Sequence, residues 1–478
     1  MKSKKSLLKR LRKLFSGLEQ CDSVDLKQAY HLADQKVRIS LPGYPLQLNL
    51  PGSGKILHLY PECLSLAVLS RCRSKAYLLF DPDRYYHQIS AFCRIEDGDK
   101  LTLQSGDPLA ACQSTPTRNA EILMTIRNDD GDLIFRDHTP QQGSCLSPLL
   151  KEKHHTSITH WRHRKLKRLK QLFGGKIAPL PNPQALQLLN HVNELLDQEA
   201  YCEKDVEGRP GAVLTLPDNL TPIIVGDLHG RVDNLLSLLS QNQFLEGLES
   251  GEACLVILGD AVHSETEGRY EEMESSILIM DLILQLKARF PQQVFYLRGN
   301  HDGFSDDIAK GGVLQGMLWK KALNKSRGKE YRKAMERFYE RLPLLAWSGQ
   351  MICCHAAPPT SRTAPISLVS MRNQPGLVHE VTRNRLQTPS RPGGYTKGDV
   401  RRLRKLFELD PETPLIVGHT PLSMDDTLWR DVGQIENHYV VYAGHPDWVG
   451  VMTRVDGHMV PLIYPVEPLQ EYLNHSLD

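Results

Sequence analysis

Eight residues with metal-binding or acid–base side chains recur at the ends of short apolar runs in the second half of the chain. They are Asp227 and His229 in TPIIVGDLH, Asp260 in ACLVILGD, and Asn300, His301 and Asp302 in QVFYLRGNHD. His355 in QMICCHAAP and His419 in TPLIVGHTP complete the series. A histidine after one strand is commonly structural and a Gly-Asp pair is commonly a turn. Five strand ends with the same chemical bias argue for one cleft. Mixed carboxylate, imidazole and amide donors suit Mn, Fe, Zn or Co, whereas Mg or Ca sites are richer in carboxylates. A carboxylate shared between two ions holds them about 3.5–4 Å apart. Such a pair lowers the pKa of a bridging water and clamps phosphoryl oxygens during in-line attack.

The elements that must carry these residues alternate. Apolar runs of strand length are separated by helical stretches such as EEMESSILIMDLILQLKARF, and QALQLLNHVNELLDQ reads as a helix before the first of them. This alternation predicts a layered α/β domain, in which functional groups gather past the carboxyl ends of the strands. The domain is placed at residues 184–478. Residues 25–150 differ: KILHLY, KAYLLF, QISAFCRI, KLTLQ and EILMTIR are short strand-like runs. Turn pairs Pro51-Gly52, Asp97-Gly98 and Asp130-Gly131 lie between some of them, which predicts a β-rich accessory module. Residues 1–24 read as a basic amphipathic helix through Leu7, Leu8, Leu11, Leu14 and Phe15, and 151–183 as a basic helical connector ending in the linker GGKIAPLPNP.

With 478 residues the chain has room for two or three domains. Its 40% hydrophobic and 24% charged residues exclude a disordered tail protein, a collagen and a coiled coil. Mean hydropathy is −0.37, and no apolar run approaches the ~18 residues of a membrane span. Basic residues interrupt the leucine pairs of MKSKKSLLKRLRKLF, so it is not read as a secretory signal. The 10 cysteines show no C-x-x-C spacing, and Cys353-Cys354 lies in an apolar run, which favours a reducing, cytoplasmic compartment. Charge divides unevenly. Residues 1–180 hold 29 basic and 17 acidic residues, net +12, and the remainder holds 29 and 39, net −10. The basic part is suited to a polyanion or an acidic protein partner, although a charge run is most often a solvated helix face. His154, His155, His160 and His163 lack nearby cysteines or carboxylates at ligand spacing and are not read as a metal site.

GDLHG (226–230), GD (259–260), LRGNHD (297–302), CCHAAP (353–358) and VGHTP (417–421) together resemble the signature of calcineurin-like metallophosphoesterases over about residues 210–465. More narrowly they resemble the phosphoprotein phosphatase family of serine/threonine phosphatases. FYERLPLLAWSGQMICCHAAP and RPGGYTKG are similar to the family's approach to its lone metal-binding histidine and to its arginine segment. Pro421, where many other branches carry a last histidine, also favours that branch. The resemblance implies a layered β-sandwich flanked by helices. It implies that Asp227 and His229 hold a first metal, that Asp260 bridges both, and that Asn300, His355 and His419 hold a second. His301 would protonate the leaving oxygen, and Asp302, the residue after it, is grouped with it as catalytic. Arg298 and Arg391 match family arginines, and Arg391 is the better candidate to grip phosphate, because its planar fork matches phosphate oxygens. Two divalent ions, Mn foremost and Fe, Zn or Co as alternatives, are the implied cofactors.

The chain departs from the family at Val262-His263-Ser264-Glu265, where the pattern is Val-Asp-Arg-Gly. The family Asp supports the catalytic histidine and the Arg binds phosphate. His263, neutral for the most part at pH 7, is left between a contact with metal or leaving group and a rim position. Asp302 stands in place of Glu, and Ala356-Ala357 in place of Gly-Gly. The leading reading is a metal-dependent phosphoester hydrolase acting on phosphoserine or phosphothreonine of proteins through a hydroxide activated by two metals. The alternative is a hydrolase of nucleotides or dinucleoside polyphosphates, and the second alternative a metal-binding scaffold with negligible turnover.

Overall fold

Residues 155–241, 244–360, 368–424, 426–455 and 458–475 are described by the computed structural model. So are Gly98, residues 121–129 and 132–138, and the strands at 35–37, 46–49, 56–61, 75–81, 91–96 and 100–104. The expected helix at 1–24 and the turns at Pro51-Gly52 and Asp130-Gly131 lie outside the described residues. The early strands are β1 (Gln35–Val37), β2 (Leu46–Asn49), β3 (Ile56–Pro61), β4 (Lys75–Asp81), β5 (Ala91–Glu96), β6 (Lys100–Gln104), β7 (Ile122–Asp129) and β8 (Asp132–Asp137). They form two four-stranded antiparallel sheets, ordered β2-β3-β4-β5 and β1-β8-β7-β6. Each of the five runs singled out in the sequence falls on one of these strands.

Two compact units divide the chain, one reaching Leu169 and the other carrying 170–239 and 244–474. The second contains β9 (Cys202–Lys204), β10 (Pro210–Thr215), β11 (Thr221–Val225), β12 (Ala253–Ile257) and β13 (Val294–Tyr296). It continues with β14 (Leu345–Ser348), β15 (Met351–Cys354), β16 (Leu415–Val417) and β17 (Leu428–Arg430). Last come β18 (His438–Val441), β19 (Trp448–Val455) and β20 (His458–Pro465). They build a five-stranded sheet, β13-β12-β11-β19-β20, and a seven-stranded sheet, β17-β18-β16-β15-β14-β10-β9. The helices are α1 (His155–Leu172), α2 (Asn182–Asp197), α3 (Val232–Ser240), α4 (Phe244–Ser250) and α5 (Glu274–Arg289). They continue with α6 (Gln315–Ser326), α7 (Lys329–Arg341), α8 (Pro375–Arg383), α9 (Lys397–Leu406) and α10 (Leu469–His475). Their alternation with the strands makes a layered α/β architecture. None of the described helices is long and apolar enough to cross a membrane.

Burial explains why the strands read as unbroken apolar runs. All five residues of β12 and all four of β15 and of β18 are buried, as expected when both faces of a sheet are covered. Each fully buried Val, Leu or Ile contributes about 1.5–3 kcal/mol. The helices show complementary spacing. α2 buries Ala185, Leu189, Val192 and Leu196, one stripe of an amphipathic helix. α5 buries ten residues, including Asp281, which Arg327 neutralises at 2.5 Å and Leu180 N–H approaches at 2.8 Å. α9 starts in a capping box formed by Thr396 and Asp399.

Register brings the polar strand ends to common edges. Val225, Ile257 and Tyr296 are level in the parallel ladder β11-β12-β13. Asp227, Asp260 and Asn300 therefore follow from one edge. Cys354, Val417 and Val440 are level in β15-β16-β18, which places His355 and His419 along a second edge. The edges are joined where Asp227 makes an isolated parallel bridge with Tyr442. Gly226 permits that approach, since a Cβ there would collide with the Val441 carbonyl.

Candidate metal centre

The two edges deliver two sets of donors. Ligand atoms of Asp227, His229 and Asp260 lie within 4.8 Å of one another, as do those of Asp260, His355 and His419. Asp260 belongs to both. Asn300 joins the second set, its Oδ1 lying 3.0 Å from His355 Nε2. All six residues named from the sequence as ligands are thus brought together.

Each imidazole is oriented by a carbonyl on its far side. His229 Nδ1 faces the carbonyls of Val262 and His263 at 3.2 and 3.1 Å, and His355 Nδ1 faces that of Leu258 at 2.8 Å. His419 uses Nε2 instead, 3.2 Å from the Arg383 carbonyl. The opposite nitrogen of each ring is left for a ligand, the arrangement that fixes tautomer and direction in metal sites. The aspartates are held by backbone amides. His419 N–H donates to Asp227 at 3.0 Å and His301 N–H to Asp260 Oδ1 at 2.7 Å.

The backbone is strained where it turns these side chains inward. His229, Asp260, His263 and His419 have φ of 45°, 50°, 68° and 65°, a left-handed region that costs a non-glycine residue about 1–3 kcal/mol. Gly299 and Gly418 allow the closest approaches, because a Cβ at either would collide with Asp260 or Asp227. These are the glycines of the GNHD and GHTP motifs.

The electrostatics favour a bound cation. Burial opposes protonation of His355, but Asp260 and Asp227 outweigh it and raise the imidazole to about 9. Burial likewise opposes ionisation of Asp260, yet His355, His301 and His229 keep its carboxyl well below the ordinary range. Asp227, with burial dominant and Asp260 adding repulsion, rises to about 6. A positive charge among these carboxylates is therefore stabilised, and the N/O donor set fits a borderline divalent ion.

His301 and His263 form a buried pair, with Nδ1 to Nδ1 at 3.2 Å. His263 is wholly buried, its ring against Trp319 and its Nε2 without a partner. It is therefore not at the rim but wholly buried beside His301. Burial, with help from His229, lowers His301 to about 4 against the opposing pull of Asp260 and Glu265. Asp302 also differs from its expected catalytic place. Its Oδ2 accepts from Gly299 N–H at 2.7 Å and Asp260 N–H at 3.2 Å, and its Oδ1 from Tyr296 hydroxyl at 2.7 Å. Both oxygens are occupied in bracing the loops, so Asp302 positions Asp260 and does not face His301.

The arginines separate. Arg298 lines a cavity of about 340 Å³ with Asn300, Arg372 and Arg383. Arg391 is exposed on the 388–391 turn. A residue overlooked in the sequence, Arg385, is half-buried and interacts electrostatically with Arg391, Glu265 and Asp227. It sits beside Gly394, where a Cβ would collide with the Arg385 carbonyl, so the two sides of the loop run tightly together. Arg385 matched none of the motifs and carried no signal of its own. Glu265 and Lys310 were also overlooked. Glu265 Oε2 lies 3.7 Å from His229 Nε2, and its Oε1 lies 2.7 Å from Lys310 Nζ.

Residues 220–446 match the model of the calcineurin-like phosphoesterase family. A serine/threonine-protein phosphatase PP2A-like PPG1 from Candida albicans is 27% identical over 191 residues, 39% of this chain and 38% of that protein. The chain thus spans about two fifths of this relative's length. Among solved structures, a serine/threonine phosphatase from Saccharomyces cerevisiae, described as similar to human phosphatase PP5, aligns with TM-score 0.45 and 15% identity. That alignment covers 60% of this chain and 90% of that one. The cold-active protein-tyrosine phosphatase of a Shewanella species aligns with TM-score 0.34 and 12% identity over 83% and 97%. Residues 220–446, the segment that holds both ligand sets, thus match the calcineurin-like phosphoesterase family over just under half of the chain.

Proposed function

We propose that the chain is a metal-dependent phosphomonoesterase whose substrates are phosphoserine and phosphothreonine residues of proteins. The observation that carries the reading is the sharing of Asp260 by two donor sets, buried except for the half-buried His419. Asp227, His229 and Asp260 would hold one divalent ion, and Asp260, Asn300, His355 and His419 the other, with Mn the first candidate. When bound, such ions lower the pKa of water and offset charge on phosphoryl oxygens.

The remaining roles fall to the protein's own groups. His301 has its Nδ1 engaged by His263, which leaves Nε2 for the leaving oxygen. A tautomer follows from burial. If His263 donates its Nδ1–H, its unpartnered Nε2 is a bare acceptor, and unpaired buried acceptors are tolerated more often than unpaired N–H donors. His301 then accepts at Nδ1 and carries its proton on Nε2, toward substrate. Arg385, ahead of the exposed Arg391, is the guanidinium placed to meet phosphate oxygens.

The test is hydrolysis of an aryl phosphate by metal-stripped protein reloaded separately with Mn, Fe, Zn, Co or Mg, followed by phosphopeptides and nucleotides under the best metal. Metal-restored turnover with phosphopeptides preferred supports the reading. Preference for nucleotides or dinucleoside polyphosphates would replace the substrate class, consistent with the altered 262–265 segment. Uptake of two ions without turnover of any phosphoester would leave the scaffold alternative.

A further inference from the structure

We propose that Glu265 is an additional carboxylate donor to the first metal ion, supplied by the segment in which the family pattern is lost. The inference rests on the metal-binding half of the proposed function. His229 has its Nδ1 turned to two backbone carbonyls, so Nε2 is its ligand-facing atom. Two carboxylate oxygens stand at the same distance from that nitrogen: Asp227 Oδ2 and Glu265 Oε2, each at 3.7 Å. Glu265 is not within the tight set formed by Asp227, His229 and Asp260, and of these three it contacts His229. Its side chain has the extra methylene to close that gap as an ion is taken up.

The two oxygens of Glu265 have different surroundings. Lys310 holds Oε1 at 2.7 Å, which anchors the carboxylate and offsets part of its charge. Oε2 has no hydrogen-bond donor among the described residues and points toward His229. The side chain is 13% exposed, so the cost of holding its charge in place is met by neighbouring cations. Position 264 reinforces the assignment: Ser264 is buried and its carbonyl accepts from Gln315 at 2.9 Å, which pins the backbone beside Glu265. An added carboxylate gives the first ion a third negatively charged neighbour after Asp227 and Asp260.

Metal-stripped full-length protein titrated with Mn²⁺ in a calorimeter tests this without reference to turnover. The wild type is expected to take up two ions. Glu265→Gln is expected to retain one at wild-type affinity and bind the other at least about tenfold more weakly, the size of loss typical when a group supporting a metal is removed. Lys310→Met keeps the carboxylate and is expected to keep both affinities within about threefold. Glu265→Asp should fall between wild type and Glu265→Gln. Unchanged affinities in a folded Glu265→Gln, or equal losses in Glu265→Gln and Lys310→Met, would overturn the assignment. Uptake of no ions by the wild type would overturn it together with the metal centre. Two-ion uptake without phosphomonoester turnover would overturn only the proposed function, and the Glu265→Gln affinities would still decide the role of Glu265.

Discussion

The metal cradle and the 262–265 segment behind it are built differently, although Glu265 comes within 3.7 Å of His229. The cradle stands on strand ends locked in register, with backbone amides and carbonyls fixing Asp227, His229, Asp260, His355 and His419. The 262–265 segment and the 384–391 loop supply their groups from irregular backbone. Strand ends leave little freedom in where a side chain points, so residue types at the cradle follow the family pattern closely. Loop positions can exchange an aspartate for His263 and a glycine for Glu265 without disturbing the sheets. The difference implies that substitutions in the cradle abolish function outright, while those in the loops retune it.

Asp260→Asn should have the largest effect, because it removes a charge common to both donor sets. Turnover of an aryl phosphate with Mn is expected to fall by more than about 10³-fold, with weakened uptake of both ions in the same preparation. Retention of a tenth of the activity would break the shared-carboxylate reading. His301→Ala should come next, lowering kcat by about 10²–10⁴-fold, the usual contribution of a positioned proton donor. Bound metal, measured by elemental analysis, should remain at wild-type stoichiometry. Loss of metal in that variant would instead make His301 part of the cradle.

His263 then sharpens the contrast. His263→Ala should cost about tenfold in kcat by freeing the His301 ring, and His263→Asp should recover most of it, because a carboxylate there accepts from Nδ1–H of a doubly protonated His301 that keeps its Nε2 proton. A merely space-filling role would show no recovery with Asp and an equal rate with Leu. Arg385→Ala is expected to raise KM about tenfold, near 1.4 kcal/mol, with a smaller change in kcat. Arg391→Ala, on an exposed turn, should raise KM no more than about threefold. The reverse order would return the phosphate grip to Arg391.

The cradle was legible in the sequence because strand-end chemistry depends on local features: an apolar run, a glycine and a polar side chain. Asp227, His229, Asp260, Asn300, His355 and His419 each carry that local mark. Arg385 does not. Its approach to Asp227 is set by how the loop between α8 and α9 returns to the site, a long-range fact with no motif. Asp302 shows the opposite failure. Its place after His301 suggested shared chemistry, yet the turn directs its oxygens to Gly299, Asp260 and Tyr296. Neighbours in sequence can point apart at a tight turn. His263 was visible as a departure, but its burial behind His301 depended on the packing of α6, which contributes Trp319. In residues 35–137, short strand-like runs and turn pairs were enough to find strands, while pairing order required the ladders themselves.

The smallest effect concerns a histidine of the same seven-stranded sheet that faces no carboxylate cluster. His438 is buried in β18, with Nδ1 donating to the Val432 carbonyl at 3.0 Å and Nε2 accepting from the Tyr395 hydroxyl at 3.1 Å. Burial lowers it to about 4, the Val432 bond and Asp431 pull the other way, and Arg404 adds to the lowering. His355, also buried, moves in the opposite direction because carboxylates surround it. For His438 the folded pKa lies below the ordinary value of 6.5. Its contribution is therefore complete at higher pH and is lost as pH falls from about 6.5 toward 4, where the unfolded chain takes the proton first. Between pH 7 and 5.5 the loss should be about 1 kcal/mol. Urea unfolding at these two pH values should show that increment in the wild type and lack it in His438→Gln, whose side chain does not titrate. An identical pH dependence in both proteins would mean that His438 is protonated within the fold, and that burial in this sheet does not by itself separate structural from ligand histidines.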